Sequence, residues 1–316
     1  MRIDGKETAR LLLAQDSFLV FSHKNPDGDT IGSAFGLIHA LRALGKQVAF
    51  RCQDPVPKKY SYLTQGYQDD PVENPYLVAV DLADPQLFGS TLQEYPEKID
   101  LCIDHHISNK EYAKHLALDA EAPACAQLML EVIEAMGVEI SPKIANCLYT
   151  GLCTDTGCFL HSNVTAKCHR VAARLIEAGA DFVKINTLLF SSKEKNRLAL
   201  EQEAISGLEY AFEDRMALLL ITQKMLNAHG LTPQELEGLS QLPRQIEGVE
   251  AGVTVTEQPN GDYKVSLRTA ETVSANEIAG ELGGGGHPRA AGCVLKGSWQ
   301  EVRQTLLDAV GRRLKG

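Results

Sequence analysis

The side chains most able to do chemistry in this chain are aspartates and histidines that follow short apolar runs. In His23-Lys-Asn-Pro-Asp27-Gly-Asp29, one imidazole and two carboxylates come between an apolar run and a helical pattern. In an open α/β sheet, ligands bind where a strand leads into a helix in this way. The spacing therefore predicts that His23, Asp27 and Asp29 turn toward a common point. An ordinary turn in which Asp29 or Thr30 caps the following helix is the alternative.

Acidic and imidazole side chains recur at the ends of two later apolar runs. Asp81 ends one of them, and the triplet Asp104-His105-His106 ends the next. Because parallel strands bring their carboxyl ends to one edge of a sheet, we expect all these side chains to share that edge. Carboxylates about 4 Å apart repel by roughly 4 kcal/mol at an effective dielectric constant near 20, so the cluster calls for divalent cations, and mixed Asp and His ligands favour manganese. Asp155, just before Gly157, is a candidate for a further carboxylate, with a local cap as the alternative.

A second constellation lies near the end of the chain. Four successive glycines, Gly283–Gly286, precede His287 and Arg289. Without Cβ atoms the backbone can approach a ligand closely, and its amides can cradle a phosphate. His287 and Arg289 would add donors or charge, and a flexible linker is the alternative. Arg268 is predicted to clamp a phosphate or carboxylate, although an arginine on a strand is often merely solvated.

The elements that must position the first cluster alternate between strands and helices. Ile31–Leu44 carries apolar residues on one face and ends at Gly45, which is typical of an amphipathic helix. Short apolar runs around it predict a mainly parallel sheet flanked by helices, an α/β fold that we expect to have five strands. The four strand candidates are Phe18–Ser22, Gln47–Arg51, Tyr76–Asp81 and Ile99–Asp104.

The second half of the chain changes pattern. Residues 125–190 are largely helical, and a charged helical stretch over Glu194–Tyr210 predicts a linker helix. A β-rich pattern follows, with an Asn260-Gly261 hairpin turn. The helices Ser274–Leu282 and Trp299–Leu314 complete a smaller α+β domain. We therefore expect a catalytic domain over 1–190, a linker helix over 191–212 and a substrate-binding domain over 213–316.

Composition excludes several function classes. The chain has 316 residues and a formal net charge of −10, which argues against long duplex nucleic acid as a partner. Its eight cysteines contain no C-x-x-C pair, so a reducing cytoplasm fits best. No apolar run approaches the roughly 20 residues that cross a bilayer, and we expect no membrane partner.

Taken together, these motifs resemble those of the DHH phosphoesterase family, and of its nanoRNase or oligoribonuclease-type branch in particular. The family's four N-terminal motifs match, in order, the His23 to Asp29 segment, Asp81, the Asp104 to His106 triplet and Asp155, and Gly284-Gly-Gly-His287 matches the signature of its C-terminal domain. The resemblance covers nearly the whole chain. It implies two divalent ions, most simply Mn²⁺, and a homodimer.

The same resemblance implies a role for each site residue. Asp104, His105 and His106 would be catalytic or orienting groups, and Arg268, the glycine loop, His287 and Arg289 would hold the terminal phosphate of the substrate. The metal ligands would be His23, Asp27, Asp29, Asp81, His105 and Asp155, with Asp81 bridging.

The substrates implied by the resemblance are short RNA oligonucleotides or a 3′,5′-bisphosphorylated nucleotide. Residues that hold one end of a substrate fix its distance from the reacting site, which favours molecules of a few nucleotides. Three alternatives remain open at this point: a cyclic dinucleotide phosphodiesterase, a pyrophosphatase or exopolyphosphatase, and a non-catalytic nucleotide-binding module. The complete ligand set argues against the last of these.

Overall fold

The computed structural model describes residues 1–236 and 238–314, with the Gln234 side chain left aside. The chain divides into two compact units, Met1–Ser192 and Lys193–Gly316, each built around its own apolar core.

The first unit contains a parallel sheet, as the alternating pattern predicts. Its strand order is β1-β6-β5-β4-β2-β3, and every neighbouring pair is parallel. The strands form because short apolar runs such as Phe18–Phe21 are buried on both faces of the sheet. Its strands are β1 (Arg2–Ile3), β2 (Ser17–Phe21), β3 (Gln47–Arg51), β4 (Tyr76–Val80), β5 (Leu101–Asp104) and β6 (His115–Leu118).

The α/β fold class is confirmed, but the sheet has six strands where the sequence predicts five. The additional edge strand, β1, has two residues and pairs only Arg2 with Leu116 and Ile3 with Ala117. A two-residue strand carries no periodicity of its own. Its pairing depends on where β6 lies, which local sequence does not determine.

Helices cover the sheet of the first unit, and two of them approach unusually closely. These helices are α1 (Gly5–Leu13), α2 (Gly28–Ala43), α3 (Cys125–Ala135), α4 (Pro142–Asp155), α5 (Ala166–Glu177) and α6 (Phe182–Asn186). A Cβ on Gly32 of α2 would lie 2.3 Å from the carbonyl oxygen of Cys147 in α4. A Cβ on Gly151 of α4 would lie 2.5 Å from Oδ1 of Asp29. The glycines therefore let the start of α2 and the end of α4 meet.

The second unit is built on a mixed sheet of order β11-β12-β10-β9-β8-β7, in which only β8 and β9 run parallel. The predicted hairpin is confirmed between β9 and β10, and Gly261 in its turn has φ +84°. The strands are β7 (Glu209–Ala211), β8 (Met216–Ile221), β9 (Ala251–Glu257), β10 (Tyr263–Thr269), β11 (Gly285–His287) and β12 (Ala290–Leu295).

Four α-helices lie in the described part of the second unit. They are α7 (Lys195–Ser206), α8 (Gln223–His229), α9 (Ala275–Glu281) and α10 (Trp299–Leu314). Helix α7 occupies the stretch expected to link the domains, and its Leu200 and Ala204 are buried against Leu219 and Ile221 of β8. This helix is therefore packed into the second unit.

The remaining helical segments are single turns or short 3₁₀ stretches, with one π-helical turn at Thr187–Ser191. The longest helices, α2 and α10, have 16 residues each. Within the described ranges, no helix combines the length and apolarity that crossing a membrane requires. The 3₁₀ segments are Lys58–Leu63, Pro85–Phe88, Ser90–Leu92, Pro96–Lys98, Pro233–Leu236 and Leu239–Gln245.

Candidate metal centre

The carboxyl ends of β2, β4 and β5 carry the predicted site residues. His23 follows β2 closely, Asp81 directly follows β4, and Asp104 is the last residue of β5. These strands are parallel neighbours in the sheet, so their ends meet at one edge. Asp81 has φ +56°, a left-handed conformation that aspartate tolerates better than most residues.

At this edge the structure brings aspartates and histidines into three interlocked groups. Within each group the candidate donor atoms lie within 4.8 Å of one another. Asp81 and His105 each belong to two groups. The groups are His23–Asp27–Asp81, Asp81–His105–His106 and Asp29–His105–Asp155.

The His105 ring is oriented by a backbone carbonyl. Its Nδ1 lies 3.1 Å from the carbonyl oxygen of Ala122. Because a carbonyl only accepts, Nδ1 is the donor, and Nε2 is the ring nitrogen that faces the carboxylates. That Nε2 lies 3.4 Å from Oδ2 of Asp155, 3.5 Å from Oδ1 of Asp81 and 3.7 Å from Oδ2 of Asp29.

His23 is oriented by the same device. Its Nδ1 lies 2.8 Å from the carbonyl oxygen of Lys24, which leaves Nε2 as the free nitrogen. Nε2 lies 3.7 Å from Oδ1 of Asp27 and 3.9 Å from Oδ2 of Asp81. Both histidines thus turn Nε2 toward the carboxylates, with Nδ1 held by a backbone carbonyl as in metal-ligating histidines.

Asp27 caps helix α2 as well as lying in the cluster. Its Oδ1 accepts from the amides of Asp29 and Thr30 at 3.1 Å each. The alternative with Asp29 or Thr30 as the cap is therefore wrong, because the side chain of Asp27 is the one that reaches the first free amides. This cap frees the Asp29 carboxylate for the cluster.

Asp29 is fully buried and is held by the start of α3. Its Oδ2 accepts from the Cys125 amide at 2.6 Å, and its Oδ1 accepts from the Ala126 amide and the Ser33 hydroxyl at 3.0 Å each. Cys125 and Ala126 are the first residues of α3, where backbone amides lack partners within the helix. The carboxylate orientation is thus determined by three donors.

Asp104 orients the histidines that follow it. Its Oδ1 accepts from the His105 amide at 2.8 Å and from Nδ1 of His106 at 2.8 Å, while Oδ2 accepts from Nδ2 of Asn109 at 2.5 Å. Burial opposes the charge on Asp104, but these hydrogen bonds, led by that from His106, hold its pKa below the usual value. Asp104 is therefore ionised and leaves Nε2 of His106 free. Asn109 was not among the predicted site residues.

Asp155 is the last residue of α4, and two later residues hold its backbone. Nδ2 of Asn163 donates to the carbonyl oxygens of Asp155, at 3.1 Å, and of Pro123, at 3.3 Å. Nδ1 of His161 lies 3.3 Å from the same Asp155 oxygen. Asn163 thus joins the end of α4 to the segment that holds His105 and Asp29. Sequence spacing gives no sign of this bridge, because it spans distant parts of the chain.

The electrostatics of the cluster favour a bound cation. Burial and the neighbouring carboxylates, Asp29 first, raise the pKa of Asp81 well above its usual range. Burial and Asp29 also raise the pKa of Asp155 to about 7. Although burial opposes it, Asp155 raises the pKa of His105 to about 9. Among the described residues, Oδ1 of Asp81 and Nε2 of His105 are buried without a hydrogen bond. The donor set therefore suits divalent ions.

In the second unit, strand register brings two predicted substrate residues together. Arg268 lies opposite Ala290, and Ala290 lies opposite His287. Directly opposed residues point to the same face of a sheet, so Arg268 and His287 flank a small alanine side chain. Arg268 donates to the carbonyl oxygen of Leu267 at 3.0 Å, and no carboxylate within the described ranges pairs with it. Burial lowers its pKa.

Gly285 and Gly286, the last two glycines of the run, belong to the edge strand β11, where the sequence predicts a loop. A Cβ on Gly284 would lie 2.1 Å from the carbonyl oxygen of Gly292, and one on Gly286 would lie 2.6 Å from that of Ala290. These two glycines therefore allow β12 to approach. At Gly285 the nearest atom to a Cβ would be 3.9 Å away, so this position has the room for a ligand that the sequence predicts for the whole run.

Arg289 is tied to backbone of its own unit. Its guanidinium donates to the carbonyl oxygens of Ala270 and Val273, the latter at 2.6 Å. Its own carbonyl accepts from the Thr269 amide at 3.1 Å. Arg289 therefore joins the start of β12 to the end of β10, and its contact with substrate stays a prediction.

Comparison with known proteins agrees with the motifs. Residues 17–152 match the DHH family, N-terminal domain, and residues 219–316 match the DHHA1 domain. The chain is 33% identical over 302 residues to the bifunctional oligoribonuclease and PAP phosphatase NrnA of Thermus thermophilus, covering 93% of this chain and 89% of that protein. It is 27% identical over 312 residues to the Bacillus subtilis protein of the same name, covering 96% of each.

The fold is shared with a solved structure. An exopolyphosphatase-related protein from Bacteroides fragilis superposes with a TM-score of 0.88 at 23% identity, covering 98% of this chain and 95% of that one. This likeness confirms the architecture of a parallel α/β domain followed by a smaller mixed-sheet domain. With both domain matches and the Thermus relative, the chain belongs to the DHH phosphoesterase family, in the branch that contains the NrnA proteins, and is a hydrolase of phosphoesters.

Proposed function

We propose that the protein is a manganese-dependent phosphodiesterase that hydrolyses short oligoribonucleotides to mononucleotides and also dephosphorylates 3′,5′-bisphosphorylated nucleotides. The observation that carries the proposal is the interlocked cluster, in which Asp81 and His105 each belong to two donor groups. The names of the two NrnA relatives, oligoribonuclease and PAP phosphatase, support the substrate class.

Two divalent ions would fit these donors, and Asp81, which belongs to two of the donor groups, would contribute to holding both. Carboxylate and imidazole donors without thiolates suit manganese better than calcium or structural zinc. When bound, such a pair activates a water as nucleophile and offsets charge on the leaving oxygen. His23, Asp27 and Asp81 would hold one ion, and Asp29, His105 and Asp155, together with Asp81, would hold the other.

The triplet after β5 supplies orientation and a substrate contact. Asp104 accepts a hydrogen bond from Nδ1 of His106. This bond fixes the ring and leaves Nε2 available. The His106 side chain is 37% exposed, whereas that of His105 is 12% exposed. His106 is therefore the histidine assigned to a phosphate oxygen of the substrate, and His105 is assigned to the ion.

Substrate binding is assigned to the domain over 213–316, and metal binding to that over 1–190. Arg268 is half-buried and without a carboxylate partner in the described part of the chain, and His287 lies on the same sheet face. A buried guanidinium favours an anion such as a terminal phosphate. Gly285 lies two residues before His287 on the edge strand and adds space for close approach. Such an anchor at one end of the substrate favours short molecules.

The test is release of mononucleotide from a panel of substrates in the presence of Mn²⁺. The panel contains 5′-phosphorylated RNAs of increasing length, a cyclic dinucleotide, a bisphosphorylated nucleotide and pyrophosphate, each with wild type and with Asp81→Ala. The mutant controls for contaminating nucleases. We expect fastest cleavage of the shortest RNAs, abolished in the mutant. Preference for the cyclic dinucleotide or pyrophosphate would overturn the substrate assignment while keeping the metal site.

A further inference from the structure

The loop that follows α4 folds back over the end of that helix. Residues 157–163 form this loop, and its Cys158 and Phe159 have φ +56° and +65°. Left-handed backbone is unfavourable for residues other than glycine, and it persists only where surrounding contacts hold it. One such contact is the His161 amide, which donates to the carbonyl oxygen of Thr156 at 3.0 Å. The loop is therefore held against the end of α4 at a conformational cost.

Two side chains of this loop reach the backbone of Asp155. Nδ1 of His161 lies 3.3 Å from the Asp155 carbonyl oxygen, and its ring lies over Gly157, where a Cβ would be 2.3 Å from Nε2. Nδ2 of Asn163 donates to the same Asp155 oxygen at 3.1 Å and to the carbonyl oxygen of Pro123 at 3.3 Å. An amide nitrogen carries two protons, so it can serve both carbonyls at once. Asn163 thereby joins two segments that are distant in sequence.

The two joined segments hold the three members of one donor group. On the Pro123 side, the carbonyl oxygen of Ala122 lies 3.1 Å from Nδ1 of His105, and the first two amides of α3 hold the Asp29 carboxylate. On the other side, Oδ2 of Asp155 lies 3.4 Å from Nε2 of His105. The hydrogen bonds of Asn163 therefore connect the backbone that carries Asp155 to the backbone that orients the other two ligands.

We propose that Asn163 is a positioning residue, which sets the place of Asp155 relative to His105 and so determines the affinity of one of the two divalent ions. This inference rests on the proposed metal site. Residues that orient metal ligands typically change metal affinity by about 10- to 100-fold when they are replaced. Asn163 makes no hydrogen bond to the ligands assigned to the other ion alone, His23 and Asp27, so its effect should be confined to one ion.

The experiment compares Asn163→Ala with Asn146→Ala in the full chain. Asn146 is the matched control, because its Oδ1 accepts from the Asp181 amide at 2.8 Å and so also joins α4 to another segment. It lies near the start of α4, whereas Asp155 is the last residue of that helix. Calorimetry on the metal-free proteins measures the two Mn²⁺ binding steps, and thermal midpoints are measured in EDTA. Hydrolysis of a dinucleotide is followed at increasing Mn²⁺ concentrations.

We expect Asn163→Ala to bind one Mn²⁺ ion about 10- to 100-fold more weakly and the other as wild type does. Because Asn163 is exposed, water can replace its hydrogen bonds, and the thermal midpoint should stay close to that of wild type. High Mn²⁺ should restore kcat, with KM for the dinucleotide unchanged throughout. Asn146→Ala should bind both ions as wild type does.

Wild-type affinity for both ions in Asn163→Ala would overturn the inference, and so would equal losses of affinity in the two variants. A raised KM with unchanged Mn²⁺ binding would also overturn it, because Asn163 would then act on the substrate. If wild type does not bind two Mn²⁺ ions, the proposed metal site itself is wrong, and that result is distinct because it needs no substitution.

Discussion

Nε2 of His105 lies 3.5 Å from Oδ1 of Asp81, and neither atom makes a hydrogen bond of good geometry within the described part of the chain. Both atoms are buried, and buried polar groups without partners are uncommon because they lose water and gain nothing in return. The pair therefore lowers the stability of the metal-free protein. A cation that binds the cluster would use both atoms, so the site exchanges stability for function.

Replacing Asp81 by asparagine should separate these two effects. Asparagine keeps the shape and tolerates the left-handed backbone at this position, but it cannot ionise, so the cost of burying a carboxyl group with a raised pKa is removed. We expect the metal-free variant to gain about 0.5–2 kcal/mol of unfolding free energy, with Mn²⁺ binding and hydrolysis lost. Urea unfolding in EDTA measures the first effect and calorimetry the second. Asp16→Asn, at a fully exposed aspartate, should change neither, and a destabilised Asp81→Asn would contradict this account.

The stability of the metal-free protein should fall as pH rises. In the folded state the pKa of Asp155 is raised from 3.8 to about 7, and that of His105 from 6.5 to about 9. The pKa of Asp81 is also raised. The folded state therefore binds protons more tightly than the unfolded state, and stability is lost as pH rises from about 4 to about 9. Asp27 and Asp104 have lowered pKa values, so their protonation changes the stability of the protein only in more acidic solution.

Urea unfolding in EDTA at a series of pH values measures this slope. Saturating Mn²⁺ should weaken or reverse it, because ions replace the protons. The Asp81→Asn variant should show a shallower slope than wild type. Stability that increases with pH in EDTA would show that the cluster is not protonated in the folded state.

Gly32→Ala should damage both the fold and the metal centre. The new Cβ would lie 2.3 Å from the carbonyl oxygen of Cys147, so α2 and α4 must separate. Overpacking of this kind costs about 1–3 kcal/mol, and it should weaken Mn²⁺ binding because Asp29 and Asp155 lie on the separating helices. Gly5→Ala is the control, since its Cβ would meet no atom closer than 3.9 Å. Equal stability of the two variants would show that the helices adapt.

Arg268→Ala should reduce substrate binding without affecting the metal. A charge-assisted hydrogen bond to a phosphate contributes about 1.5–3 kcal/mol, so KM should rise by roughly 10- to 150-fold. Because no carboxylate in the described ranges depends on Arg268, stability should hold. Arg303→Ala, which breaks an exposed ion pair with Glu209, is the control. Steady-state kinetics with a dinucleotide checks the prediction, and an unchanged KM would remove Arg268 from the binding site.

Much of the metal centre could be predicted because its residues are tied to strand ends. Apolar runs indicate where strands lie, and parallel pairing places the residues after β2, β4 and β5 at one edge. The Asn260-Gly261 pair likewise predicts its hairpin from two adjacent residues. In these cases the information is contained in a few adjacent residues.

Other features depend on parts of the chain that are distant in sequence. The role of Gly284 appears only once β12 lies beside it, and that of Gly32 only once α4 does. Asn163 joins Pro123 to Asp155, and Tyr62 contacts Thr150 of α4 from another segment. None of these contacts leaves a local pattern.

The fold class, the family and the residue types of the candidate metal centre could be predicted from the amino-acid sequence alone, because hydrophobic periodicity and short motifs act over neighbouring residues. The folded chain was needed to show which carboxylate caps α2, which ring nitrogens face the cluster and which buried groups lack partners among the described residues. Those properties follow from packing and burial, which arise when distant segments of the chain meet.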